Sequence, residues 1–399
     1  MEPRSVKLAE CSIGTEEIEA VVEVLKSGAL TSGERVQAFE RAFASQYGFE
    51  HCAVVNSGSS ANLLAVAALR DRAWPRRREG DPARVIVPAV TWPTSVWPIA
   101  QLGLTPLVVD VDPATWCLDP SRAREAAEMP GVVGALPVHV YGNPCDLSWV
   151  NRFVVLEDCC EALGSSRSAR FVGHVGACAT FSFYFSHHVT TIEGGAVCAD
   201  DDEFDARIRL LRAHGWARDL GAAKARALYE RAGVDAAIDP AFVFYAMGYN
   251  FRMTEVQAAI GLVQLRKAVR FDAVRKAAWQ MYRERLGEFE DVLAFQEPTA
   301  YSEPSWFGFG MRVRENATFS RTALRGYLLD RGIESRPIIA GNIARQPGAR
   351  GVVEVFGDLP AADAICGHAF SIGCHPSITP DDVDYVYDVF RNFLSRRRT

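Results

Sequence analysis

The stretch VVNSGSSANLLAV, Val54 to Val66, decides how the rest of the chain is read. An apolar run (CAVV, 52–55) stops at a turn of small residues, and an apolar helical pattern (SANLLAVAALR, 60–70) begins directly after it. This strand–turn–helix unit is the first of an alternation. RVIVP (84–88), LVVD (107–110), GALPV (134–138) and FVVLED (153–158) read as further buried strands, most of them separated by helix-length segments. ATFSFYF (179–185) and AVCA (196–199) close the series. Continuous apolar strands alternating with helices predict an α/β fold, with a mostly parallel sheet covered by helices on both faces.

Working outward, TEEIEAVVEVLKS (15–27) sets Ile18, Val21, Val22 and Leu25 at helical spacing, with Thr15 as N-cap and Gly28 as stop. Residues 219–248 are less regular and read as a lid or an interface excursion. Residues 253–286 carry a long helical pattern, expected to leave a large domain and enter a smaller one. Beyond it the texture becomes strand (307–314), helix (320–331), strand (333–339) and a final amphipathic helix (380–395). The expected division is a large domain over 1–270, with an N-terminal helical arm, and a smaller C-terminal α/β domain over 271–399. The closing RRRT reads as a solvated tail.

Composition narrows the class. A chain of 399 residues with 49% hydrophobic and 23% charged residues is an ordinary globular one. The net charge of −6 argues against a nucleic-acid binder. MEPRSVKLAE has no apolar core of a signal peptide, and no uncharged apolar run reaches the roughly 18 residues of a membrane span. No membrane association is therefore expected. The ten cysteines form no C-x-x-C pair, and most sit in apolar strand-like stretches, which suits free thiols in a reducing cytoplasm. Of 43 basic residues only five are lysine, and none lies between Lys26 and Lys224.

Four places carry candidate chemistry. At 57–60, backbone N–H groups with the hydroxyls of Ser57, Ser59 and Ser60 make either an anion site at a helix start or an ordinary serine N-cap. Asp158 ends a strand at the edge where ligands bind in open parallel sheets, and it is either a ligand partner or a helix cap; Glu161 follows one helical turn on. Trp92, after the strand at 84–88, either stacks on a ligand ring or fills the core. FSFYFSHHVTTIEGG (181–195) places His187 and His188 at a strand exit. Neighbours on an extended segment point to opposite sides, and no H-x-x-x-H or cysteine cluster accompanies them, so no metal is expected. One imidazole facing a cleft as acid or base is the better reading.

Read together, these pieces resemble the fold-type I pyridoxal-phosphate enzymes, and within them the DegT-like nucleotide-sugar aminotransferase family. The resemblance runs nearly end to end, through NSGSSANLLAVAAL, VIVPAVTWPTSV, VHVYGNP, LEDCCEALGS, GYNFRMTEVQAAIGLVQL and ESRPIIAGNIARQP. In that family the strand-exit motif carries the lysine that holds the cofactor covalently. His187 stands at the matching position, and the lysine-free interval leaves no near substitute. This marks the 3-dehydratase branch, and SFYFSHH with LRAHGWAR (211–218) looks most like its members acting on GDP-4-keto-6-deoxymannose.

The resemblance implies pyridoxal 5′-phosphate or pyridoxamine 5′-phosphate bound non-covalently, with L-glutamate as amino donor and ammonia released after C3 deoxygenation. It implies His187 as the catalytic base. Gly58, Ser59 and Ser182 would hold the phosphate, Asp158 the pyridinium nitrogen and Glu161 the O3′ side, with Trp92 stacking on the ring. Asn250 would reach the phosphate of the second subunit in a homodimer with shared active sites. Ser186, His188, His214 and Arg218 are candidates for substrate contacts, and Thr94 a weaker one. A related branch carries an iron–sulfur cluster on cysteines after the strand-exit motif. This chain has no cysteine between Cys198 and Cys366, so no cluster is expected. The alternatives are a sugar aminotransferase, the same dehydration on a CDP-, dTDP- or natural-product sugar, and a cofactor-binding protein without activity.

Overall fold

The computed structural model describes residues 4–74, 82–150, 153–235 and 237–395; the RRRT tail lies outside the described residues. Five strands come first: β1 (His51–Val55), β2 (Arg84–Pro88), β3 (Thr105–Val109), β4 (Val132–Ala135) and β5 (Val154–Asp158). Two short ones follow, β6 (Ser166–Arg167) and β7 (Arg170–Phe171), and then β8 (Cys178–Ser182) and β9 (Gly195–Ala199). The rest of the chain adds β10 (Leu293–Phe295), β11 (Ser302–Glu303), β12 (Gly308–Val313), β13 (Ser335–Pro337), β14 (Glu354–Val355) and β15 (Ala369–Gly373).

The large sheet has eight strands in the order β1-β9-β8-β5-β4-β2-β3-β14. Neighbours are parallel except at β9, which is antiparallel to both β1 and β8. Alternate residues serve two different apolar cores. Ala53 and Val55 of β1 join one cluster, while Cys52 and Val54 join another. Val197 and Ala199 of β9 divide from Ala196 and Cys198 in the same way. A strand buried on both faces needs no polar side, which is why these runs are continuously apolar in sequence.

A second sheet, β10-β12-β15-β13, is antiparallel throughout and packs its own cluster around Phe309, Met311, Phe370 and Phe390. The helix Glu255–Leu286 links the two regions: Ala258, Leu265 and Ala268 pack beside the large sheet, and Ala278, Tyr282 and Leu286 beside the small one. Thr254 and Gln257 close its first turn as a reciprocal capping box. The N-terminal Val6 packs into the small-sheet cluster and bonds through its N–H to the Gly332 carbonyl at 2.8 Å. Residues Ile338, Ile343, Leu359 and Ile365 return to the large core. Among the described residues no helix is long and apolar enough to cross a membrane.

Two local expectations change. The strand expected to run to Phe185 ends at Ser182. Phe183 still pairs with Gly194, but the chain then turns back, with His187 N–H bonded to the Tyr184 carbonyl at 3.0 Å. His187 and His188 therefore lie on a turn, not on an extended segment. The helix Thr15–Ser27 forms as expected, but Gly14 caps it, with the Glu17 carboxylate on its N–H at 2.9 Å. Glu17 and Val24 are its buried residues, and Glu17 pairs with Lys267 at 2.7 Å. The apolar stripe faces outward, with Ile18 58% and Leu25 57% exposed.

Candidate active site

A cavity of about 410 Å³ opens at the C-terminal ends of the parallel strands, between the large sheet and β13. Ser57 starts the helix Gly58–Arg72, its hydroxyl accepting from Ser60 N–H at 3.0 Å. A Cβ at position 58 would stand 2.7 Å from the Ser182 Cβ and 3.2 Å from the Cys160 sulfur, so the turn requires glycine by space alone. Gly195 has the same constraint, because a Cβ there would meet the Ser57 backbone at 2.6 Å. The turn, Ser59 (hydroxyl 2.9 Å from that of Thr94) and Ser182 form one end of the cavity.

Asp158 is 3% exposed and fully engaged. It accepts from Asn62 Nδ2 at 2.8 Å, Ser95 Oγ at 2.7 Å and Cys160 N–H at 3.1 Å. Asn62 is itself held by the Thr180 hydroxyl at 2.6 Å. This network fixes the carboxyl group in place with neutral donors. Glu161 lies beside it and accepts from Tyr141 N–H at 2.9 Å. Burial pushes its carboxyl up to about 7, against that hydrogen bond and the nearby Arg336 charge.

His187 donates from Nδ1 to the Cys160 carbonyl at 2.6 Å, since a carbonyl can only accept. The tautomer is thereby set: Nδ1 carries the proton, and Nε2 is left without a partner among the described residues. Burial, aided by the charges of Arg336 and Arg275, pushes the imidazole down to about 4, against the Cys160 hydrogen bond. The group is therefore neutral near pH 7, with a free lone pair. Phe307 packs on it with ring centroids 5.0 Å apart.

The cavity gathers Gly58, Ser59, Trp92, Thr94, Asp158 and Glu161, and also Ser182, Ser186 and His187. Trp92 is not a core residue; it is 57% exposed and presents its ring to the opening. Four expected residues lie elsewhere. His188 is buried, donating from Nε2 to the Ser305 carbonyl at 2.8 Å, because the turn at 184–187 sends it inward. It is not among the residues that line the cavity. His214, Asn250 and Arg218 form a separate neighbourhood. Arg252 bonds both the Asn250 oxygen (3.2 Å) and His214 Nε2 (3.4 Å), and Arg218 lies 5.2 Å over the Trp216 ring. The structure also adds residues that the motif reading missed: Asn62, Ser95, Phe307 and Arg336. Asn62 was readable as helical spacing from Ser59, but Phe307 and Arg336 come from distant segments with no local signal.

None of the five lysines lines the cavity. Among the described residues, one trio has metal-ligand chemistry, His139, Glu157 and Cys159. Glu157 is saturated by His139 Nε2 and the N–H groups of Gly173, Val175 and Gly176, and His139 Nδ1 accepts from Cys145 N–H. The trio is a buried polar joint beneath β5.

The fold and this site define a class. Residues 11–391 match the DegT/DnrJ/EryC1/StrS aminotransferase family, and the chain belongs to it. Its α/β architecture is that of the fold-type I pyridoxal-phosphate enzymes. The chain is 32% identical over 398 residues to the GDP-4-keto-6-deoxy-D-mannose 3-dehydratase of Yersinia pseudotuberculosis, spanning 96% of this chain and 98% of that protein. It is 34% identical over 393 residues to the dTDP-4-dehydro-2,6-dideoxy-D-glucose 3-dehydratase of Saccharopolyspora spinosa, spanning 94% and 84%. A solved GDP-4-keto-6-deoxymannose-3-dehydratase with a trapped PLP–glutamate geminal diamine matches with a TM-score of 0.87 and 31% identity, covering 96% of this chain and 100% of that chain.

The residues present fit the family's cofactor. The start of the helix Gly58–Arg72, with the hydroxyls of Ser59, Thr94 and Ser182 lining the cavity beside it, suits a phosphate. The fixed Asp158 carboxylate suits a pyridinium nitrogen, and the Trp92 ring a flat heterocycle.

Proposed function

We propose that this protein is a pyridoxal/pyridoxamine-phosphate-dependent 3-dehydratase of a nucleotide-4-keto-6-deoxyhexose, with GDP-4-keto-6-deoxymannose as its substrate, glutamate as amino donor and ammonia as a product. The carrying observation is His187: a neutral imidazole with an uncommitted Nε2, in a cavity that no lysine lines. The cofactor, when bound, supplies an amine for the sugar's C4 ketone and a ring that delocalises electrons. His187 would accept a proton at its free Nε2 beside the bound cofactor, and an imidazole would not hold the cofactor as a persistent imine as a lysine would. Gly58, Ser59 and Ser182 hold the phosphate. Asp158 would hold the ring nitrogen, Glu161 the O3′ side and Trp92 one ring face, with Ser186 and Thr94 also lining the cavity.

The active unit in this reading is a cytoplasmic homodimer. The outward stripe of Ile18, Val22, Leu25 and Leu30 is what a second copy would cover. Asn250, His214 and Arg218, outside the cavity of their own chain, would reach the partner's cofactor and substrate. The chain divides into a large domain over 1–270 and a small one over 271–399, with 338–365 returning to pack on the large sheet.

The test gives the protein cofactor, glutamate and GDP-4-keto-6-deoxymannose. A 3-deoxy sugar and stoichiometric ammonia are expected; a stable 4-amino sugar would sink the reading. The relationship to the Saccharopolyspora enzyme favours one second reading, the same deoxygenation on a dTDP-sugar. Parallel reactions with the dTDP- and CDP-linked 4-ketosugars separate the carriers.

A further inference from the structure

His188 follows the cavity's imidazole directly in sequence, yet it lies outside the cavity and is 5% exposed. Burial, with the Arg275 charge nearby, pushes its imidazole well down from the usual histidine range, against the Ser305 hydrogen bond. The ring is therefore neutral, and its Nε2–H acts as a fixed donor and not as a proton shuttle. The acceptor is the Ser305 carbonyl, in a segment that is tied down at every residue. Ser305 N–H donates to Ser165 Oγ at 2.8 Å, and Phe307 N–H to the Tyr141 carbonyl at 3.0 Å. Arg275 Nη1 donates to the Trp306 and Phe307 carbonyls, each at 3.3 Å. A Cβ at Gly142 would stand 2.0 Å from the Ser305 carbonyl oxygen, so the backbone on that side closes on the segment as far as glycine allows.

The side chain that all these bonds place is Phe307. Its ring packs against His187 (centroids 5.0 Å apart, planes at 54°) and against His188 (6.0 Å). His187 makes one hydrogen bond, from Nδ1, so the aim of its other nitrogen depends on what packs against the ring. We propose that His188 is a positioning residue for His187: through the Ser305 carbonyl it holds the Phe307 ring against the neighbouring imidazole, which fixes the direction of Nε2 and keeps water from it. This rests on the reading that His187 is the base. The two adjacent imidazoles are thus tied to different walls. His187 is held by the Cys160 carbonyl just beyond β5, and His188 by the segment that leads into β12 of the small sheet. A side chain that only filled space at 188 would need no donor, and that difference is what the experiment reads.

The His187 imidazole is titrated by NMR in the full chain free of cofactor, and ammonia release is measured with the cofactor restored. His188→Gln keeps an N–H at about the reach of Nε2, whereas His188→Asn is one carbon shorter and cannot meet Ser305. His188→Asn is expected to raise the His187 midpoint from about 4 by about one pH unit, because a loosened Phe307 ring admits water and relieves the desolvation. The charged and titratable groups that face His187 stay as they are: Arg336 on β13, Arg275 on the long helix, Asp158 at the end of β5, and Glu161 and Tyr184 in the cavity. In the same variant kcat for ammonia release should fall about fivefold, the worth of one neutral hydrogen bond, with KM for the sugar nucleotide unchanged within about twofold. His188→Gln should restore both the midpoint and kcat. An unmoved His187 midpoint in the asparagine variant, even with a lower unfolding temperature, would mean a merely structural role and overturn the proposal. A glutamine variant as impaired as the asparagine one would overturn it too. If His188→Asn does not fold, Phe307→Leu gives the second measurement: it should raise the His187 midpoint at least as far, and an unmoved value there overturns the proposal. The titration needs no substrate, so a chain that released no ammonia would fail the dehydratase reading and leave the assignment of His188 to be decided by the His187 midpoint.

Discussion

The two walls of the cavity are built on different terms. On the large-sheet wall, Asp158, Asn62, Ser95, Thr180, Cys160 and His187 bond one another, which holds the Asp158 carboxylate and Nε2 of His187 in fixed positions toward a ligand. On the small-sheet wall, Arg336 rests on Phe307 and Tyr141, with most of its donors uncommitted among the described residues. The first wall is pre-organised for one permanent occupant. The second is suited to occupants that come and go, because an uncommitted charged donor exchanges partners without breaking protein bonds. That division matches a proposed cycle in which the cofactor stays and two substrates alternate.

The largest effect should come from the fixed wall's one free nitrogen. His187→Asn is expected to lower ammonia release about 10²–10⁴-fold, the usual contribution of a positioned base, while the cofactor's absorbance shows that it stays bound. His188→Asn, made beside it, should leave release within about tenfold, since that imidazole is buried outside the cavity with Nε2 held by the Ser305 carbonyl. If the second substitution proves the damaging one, the wall has been assigned to the wrong histidine. A smaller effect is expected of Gly58→Ala. Its methyl group would stand 2.7 Å from the Ser182 Cβ, an overpacking that costs about 1–3 kcal/mol. A lower unfolding midpoint together with a weaker cofactor would confirm that the turn is a tight cradle; an unchanged cofactor affinity would show that the phosphate lies elsewhere.

The smallest effect is one of pH. In protein free of cofactor, His187 should remain neutral until the pH nears about 4, against an ordinary histidine at about 6.5. Its folded value is depressed. Its contribution to stability is therefore present above about 6.5 and is lost as pH falls toward 4, where the unfolded chain binds the proton more readily. Imidazole chemical shifts across that range measure it directly. A midpoint near 6.5 would mean that the wall is solvated and not pre-organised.

Much of the large-sheet wall was legible in the chain, because each of its parts is a local pattern. Strand-then-turn signals mark Gly58, Trp92, Asp158 and His187, and a parallel sheet brings all strand exits to one edge. The missing lysine is a plain fact of the sequence. Spacing also announced the apolar face of Thr15–Ser27, yet that face turned outward, because Glu17 found Lys267 and Gln264 on the long helix. Periodicity reports that a face is apolar, and not what covers it.

The sequence by itself thus determined the alternating α/β order, the small-residue turn at 57–60 and a long interval without lysine, since each depends on residues close along the chain. Only the tertiary structure decided which of two adjacent histidines faces the cavity, for that choice is made by a turn at 184–187 and by carbonyls of Cys160 and Ser305. It also supplied the second wall. Arg336 is 149 residues from His187 in sequence, and no local pattern encodes a meeting that depends on how the small sheet packs against the large one.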